Sequence, residues 1–99
     1  MLEIARKVNE AYPAVLGYTR QSAQTVYAQG TGMPYTAYAT HQLVRDPGFL
    51  GGKTGYTDLA RGNLLSLFSV GGQAEALVVL GSDDRFGDTR RLLATLKNP

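Results

Sequence analysis

The sequence predicts an α+β domain, an antiparallel sheet flanked by helices. Three features carry that expectation: apolar residues at helical spacing near both chain ends, apolar runs over 63–81, and a Gly71-Gly72 pair separating two of those runs. Ile4, Val8 and Tyr12 recur every four residues with Ala5 and Ala11 beside them, which predicts a helix over 2–12. Glu3 and Lys7 stand in the favourable order for an i, i+4 ion pair, and Pro13 is expected to stop the helix. Residues 18–28 hold Tyr18, Thr19, Thr25, Val26 and Tyr27, residues that fit strands, and they lead into Gln29-Gly30-Thr31-Gly32. A weak hairpin followed by a loop is expected there.

Residues 35–46 predict a loop with a short helical turn, anchored by Tyr35, Tyr38, Leu43 and Val44 and closed by Pro47-Gly48. A short glycine-rich strand is expected over 49–57. A second strand covers 63–70, with Leu65 and Leu67 on one face. Gly71-Gly72 then makes a tight hairpin turn, because glycine adopts positive φ without steric cost. The run Leu77, Val78, Val79, Leu80 predicts a strand over 74–81 that is buried on both faces. A last helix is expected over 89–97, capped by Asp84 or Asp88, with Leu92, Leu93 and Leu96 as its buried stripe and Lys97 at the negative end of its dipole.

Composition narrows the function. Ninety-nine residues, 43% of them hydrophobic, suit one small globular domain rather than two cores. The net charge of +2 comes from basic residues scattered among acids, which is not the clustered footprint of a nucleic-acid binder. Without cysteine there is no disulfide, no thiolate nucleophile and no cysteine-ligated zinc, and a single histidine argues against a histidine metal site. No metal or cofactor is expected. The first residues, MLEIARKVNEAYP, lack the apolar core of a signal peptide, and no run reaches the roughly 20 apolar residues of a membrane span.

The informative stretch is GGKTGYT, residues 51–57. As a phosphate loop it fails, because G-x-x-x-x-G-K-[ST] needs one more residue between its glycines than Gly48 and Gly52 allow, and the residues after Thr54 read as turn and strand rather than helix. A lysine, a hydroxyl and a glycine in sequence on a strand suit carboxylate recognition instead. The ammonium and hydroxyl offer charge-assisted hydrogen bonds, and a glycine lets a ligand backbone lie along the strand edge. A surface lysine on a glycine-rich hairpin is the bland alternative.

The longer string DPGFLGGKTGYTDLARGNLL, with IARKVNEAYP upstream, the THQL turn and the closing VVLGS..R...TRRLL, resembles the low-molecular-weight penicillin-binding proteins, the serine-type D-alanyl-D-alanine carboxypeptidases. The likeness runs over almost the whole chain, about 2–96. It implies the C-terminal part of a β-lactamase/transpeptidase-like fold, with residues 1–99 forming part of one catalytic domain. In that family a serine of an S-x-x-K motif attacks the bond between two terminal D-alanines of the peptidoglycan stem peptide, an S-x-N motif assists proton transfer, and K-T-G binds the terminal carboxylate or that of a β-lactam. By resemblance Lys53 is the catalytic anchor and part of the proton relay, Thr54 donates to the carboxylate, Gly55 permits close approach, and the Tyr56 amide faces the oxyanion.

The chain departs from the family at one point. None of Ser22, Ser66, Ser69 and Ser82 is followed by lysine three positions on, and no serine stands two residues before an asparagine, so S-x-x-K and S-x-N are both absent. The resemblance places them before Met1. A fragment inactive by itself is therefore expected, from a parent working in the cell envelope or periplasm, with an exposed apolar face where the rest of the domain would pack. Two rivals stay open: a non-catalytic binding module for D-Ala-D-Ala termini, and a truncated reading frame without function. His41 is expected to be a loop residue whose ring meets local backbone rather than a catalytic base, and Asp46 and Asp58 are expected to be turn formers. Arg85 either reaches the cleft from the end of its strand or, as the preferred reading, caps the last helix, and the six tyrosines are half-buried anchors.

Overall fold

A computed structural model of the chain describes residues 1–98. The order is α1 (Leu2–Ala11), α2 (Pro13–Thr19), β1 (Ala23–Tyr27), β2 (Pro34–Tyr38), β3 (Phe49–Thr57), β4 (Arg61–Val70), β5 (Gln73–Ser82) and α3 (Arg85–Lys97). The strands form two antiparallel sheets, a β1–β2 hairpin and a three-stranded sheet in the order β3-β4-β5. The expected α+β class holds. No helix among the described residues is long and apolar enough to cross a membrane.

The central sheet is covered on both faces by the chain's own helices. On one side α3 and the turn before β3 bury Leu43, Phe49, Leu64, Phe68, Leu77, Phe86 and Leu93 in one cluster. On the other, α1 and α2 bury Ala5, Leu16 and Leu67, with Val8, Leu50 and Leu65 packed alongside. Strand alternation explains the division, since Leu64, Ser66 and Phe68 of β4 point one way and Leu65 and Leu67 the other. The Gly71-Gly72 turn forms as expected, both residues at positive φ (59° and 82°).

Several expectations need correction. Pro13 does end α1, but it also opens α2, because a proline at the first helical position forfeits only an amide that has no intrahelical partner. Tyr18 and Thr19 thus belong to a helix, and the partner of β1 is β2, a strand inside the stretch expected to be loop. Glu3 pairs with Arg6 at 2.9 Å rather than with Lys7. β5 is an edge strand only partly covered by α1 and α3, so Leu77 is buried while Leu80 is 66% exposed.

The last helix begins four residues earlier than expected, where the Asp84 side chain accepts the Gly87 amide at 3.1 Å. Its buried face is then Phe86, Thr89 and Leu93, which turns Leu92 and Leu96 outward. All six tyrosines are more than half exposed, five of them at helix ends or on the hairpin, where no element covers them. Exposed apolar side chains do occur, on the hairpin, at Leu59 and Leu80 and at the start of α1, rather than as one bare sheet face.

Candidate functional site

Lys53, Thr54, Gly55 and Tyr56 lie together on β3, an edge strand with β4 on one side only. Two glycines prepare this edge. The strand bulges between Phe49 and Gly51, and Gly51 takes φ 151°, where a Cβ would sit 2.4 Å from the Thr19 hydroxyl at the end of α2. A Cβ on Gly52 would lie 2.3 Å from the Leu65 carbonyl and 2.8 Å from the His41 ring.

The bulge shifts the alternation of side chains. Thr54 and Tyr56 face the His41 and α3 side, as the contacts of Thr54 with Thr40 and of Tyr56 with Arg85 record. Lys53 and Gly55 face the opposite way. The Gly52 amide donates to Thr19 Oγ1 at 3.1 Å across the free edge, and strand alternation turns the amides of Thr54 and Tyr56 in the same direction.

The Lys53 ammonium donates to the Thr54 carbonyl, so its charge sits at this edge. The Thr54 hydroxyl is hydrogen-bonded to that of Thr40 at 2.8 Å. A Cβ on Gly55 would meet nothing nearer than the Asn63 Cβ at 3.9 Å, which leaves room for a ligand backbone. Arg85 Nη1 donates to the Gly55 carbonyl at 2.8 Å while its guanidinium lies 5.9 Å from the centre of the Tyr56 ring. Because a trans peptide points its carbonyl and amide in opposite directions, this bond holds the plane that carries the Tyr56 N–H. Arg85 therefore opens α3 and also reaches the candidate site. Its own position is fixed from below, where Ser82 donates to Asp88 and accepts the Asp84 amide at 2.9 Å. The Ser82 hydroxyl and, after it, Arg91 hold the Asp88 carboxyl below its ordinary value.

Between β3 and the base of the hairpin opens a cleft of about 340 Å³, lined by Lys53, Thr54 and Thr40 on one wall and by Tyr18, Gln24 and Tyr38 among the residues opposite. Among its lining residues the one cation is Lys53. His41 lies beneath. Its ring is buried, packed at 4.7 Å on Phe49 and 5.7 Å on Phe86, and Nδ1 accepts the Leu43 amide at 3.3 Å. The expected contact with local backbone is there, with a burial that the sequence did not suggest. Burial is also the main reason its pKa falls below the ordinary 6.5. No group of metal-ligating side chains occurs among the described residues.

Asp58 lies in the turn between β3 and β4 as expected, whereas Asp46 does more than close a turn, since Arg90 of α3 donates to it at 3.0 and 3.3 Å. Thr19 and Thr40 are the site residues that sequence reasoning missed. Thr40 was visible only as part of the THQL turn, and its contact with Thr54 spans 14 residues of chain, with no local pattern to announce it.

No protein-family profile and no curated protein matches the chain. Solved structures do. An evolved penicillin-binding protein homolog from Mycobacterium tuberculosis superposes with a TM-score of 0.63 at 22% identity, over 76% of this chain and 28% of that one. The D-alanyl-D-alanine carboxypeptidase of Mycobacterium tuberculosis H37Rv superposes with a TM-score of 0.61 at 25% identity, over 71% of this chain and 26% of that one. The chain has the penicillin-binding protein and carboxypeptidase fold. It spans only about a quarter of the length of these neighbours, as a partial region of such a fold would.

Proposed function

We propose that this chain is the carboxylate-binding part of a serine-type D-alanyl-D-alanine carboxypeptidase domain that trims peptidoglycan stem peptides outside the cytoplasm. The observation that carries the reading is the free β3 edge, where one lysine and one hydroxyl line an open cleft and an unobstructed glycine and the next amide follow along the strand. The bond of the Lys53 ammonium to a backbone carbonyl is readily exchanged for a ligand carboxylate, since a charge-assisted pair is stronger than a bond to a neutral acceptor. Thr54, its hydroxyl oriented by Thr40, supplies the second donor to that carboxylate. Gly55 admits the penultimate residue of the peptide alongside the strand, and the Tyr56 amide, with its peptide plane held by Arg85, faces the scissile carbonyl.

The fragment binds but does not cleave. Acyl transfer needs a nucleophile beside a base, and none of the four serines stands in an S-x-x-K motif. Of those serines Ser66 and Ser82 are buried, and Ser66 lies against His41 on the far side of β4 from solvent. Incubation with a fluorescent penicillin, followed by intact-mass measurement, is expected to give no covalent adduct, while N-acetyl-D-alanyl-D-alanine binds reversibly and Lys53→Ala weakens that binding at least tenfold. A stoichiometric adduct, or affinity indifferent to Lys53, would overturn the proposal.

A further inference from the structure

His41 is the one buried ionisable ring among the described residues, and the proposed chemistry leaves it unused. Its hydrogen bonds define its protonation. The Leu43 amide can only donate, so Nδ1 must accept and carries no proton. The single proton of the neutral ring therefore sits on Nε2, within reach of the Leu65 carbonyl at 3.3 Å and of Ser66 Oγ at 3.2 Å. Leu65 is the register partner of Lys53, and Nε2 lies where only a glycine at position 52 leaves it space. The residue before His41 is Thr40, whose hydroxyl meets that of Thr54. His41 thus pins one segment of chain to β4 directly beneath the strand on which the carboxylate donors stand.

From this geometry we infer that His41 is a positioning residue for the carboxylate site, a clamp that presents Thr40 to Thr54 only while the imidazole is neutral. The inference rests on the reading of β3 as a carboxylate-binding edge. A second proton has to go onto Nδ1, where it opposes the N–H of Leu43 and removes that amide's acceptor. The cation would also be trapped between Phe49 and Phe86. The turn that holds Thr40 loosens as a result, and Thr54 loses its partner. The charged groups around the ring pull in both directions: Arg85 of α3 opposes protonation and Asp46 favours it, the latter already engaged by Arg90. β4 brings only Leu65 and Ser66, and β3 brings Phe49 and Gly52, with Lys53 next along the strand in the same cleft.

Because the chain has one histidine, its ring signal is unambiguous in an NMR titration of the full chain from about pH 8 to about pH 5. The expected result is a His41 midpoint below 6.5, with the methyl signals of Thr40 and Thr54 following the same curve while the amides of β5 stay in place. In the same samples the affinity for N-acetyl-D-alanyl-D-alanine falls about fivefold across the His41 midpoint, the loss of roughly one hydrogen bond, although the peptide carboxylate stays ionised throughout. His41→Asn keeps an acceptor for Leu43 but does not titrate, and it is expected to flatten both curves. Threonine signals that stay fixed while His41 titrates would overturn the clamp, and this reading needs no variant to fold. Threonine signals that follow His41 with no peptide affinity at any pH would support the clamp and overturn the carboxylate reading alone.

Discussion

The β1–β2 hairpin and the β3–β4–β5 sheet are both antiparallel and both rich in residues that suit strands, yet every residue of β1 and β2 is exposed while β4 buries Leu64, Ser66, Leu67 and Phe68. Propensity brings two strands together, but only cover on the faces converts pairing into stability. In the larger sheet α3 closes one face and α1 with α2 the other, around two clusters of apolar side chains. The hairpin has no such cover. Its base is closed by the Ala39 amide donating to the Ser22 carbonyl at 2.9 Å, and it meets the larger sheet through Thr40, whose hydroxyl bonds to that of Thr54 on β3. The candidate site lies where the edge of the covered sheet meets this uncovered element, so the lysine wall of the cleft rests on a packed core and the tyrosine wall does not.

Substitutions sharpen the contrast. Phe68→Ala empties the centre of the larger core, where the ring is fully buried and packs edge-on to Phe49, and it is expected to cost about 3–5 kcal/mol by urea denaturation. In a chain this short that is a large fraction of the whole stability, on the order of 5–15 kcal/mol. Gly52→Ala drives a Cβ into the Leu65 carbonyl and the His41 ring, and an overpacking loss of about 1–3 kcal/mol should appear together with shifted amide signals along β3. Thr40→Val removes one exposed hydroxyl and is expected to cost about 1 kcal/mol in peptide binding with little change in the melting temperature. Val26→Thr in the hairpin should change stability by less than about 0.5 kcal/mol, because the position is already exposed. A large loss at Val26 would break the comparison, since it would mean that the hairpin carries part of the core.

The parts of the fold that were legible in the sequence are those written in local chemistry. The glycine pair at 71–72, the apolar runs beside it and the capping aspartate before the last helix each act within a few residues, and the corresponding elements formed. The elements that escaped notice depend on partners distant in sequence. Tyr18 and Thr19 carry strand propensity but sit in α2, where Leu16 packs on Ala5 and Leu67 and Thr19 bonds to Gly52. β2 exists only through its register with β1. β5 has the composition of a central strand but lies at the edge. At the site, Lys53 to Tyr56 stood out as a motif, whereas Thr40 and Arg85 reach it across 14 and 30 residues of chain, and His41 meets β4 at Leu65 across 24, contacts that no periodicity records.

That β3 presents a carboxylate-binding edge is tested most directly by a map of backbone amide shifts as N-acetyl-D-alanyl-D-alanine is added to the full chain. Saturable changes are expected at Lys53, Thr54, Gly55, Tyr56 and Thr40, and they should be absent in Lys53→Ala. Saturable changes centred elsewhere, or none at β3 at any peptide concentration, would contradict the carboxylate-binding edge.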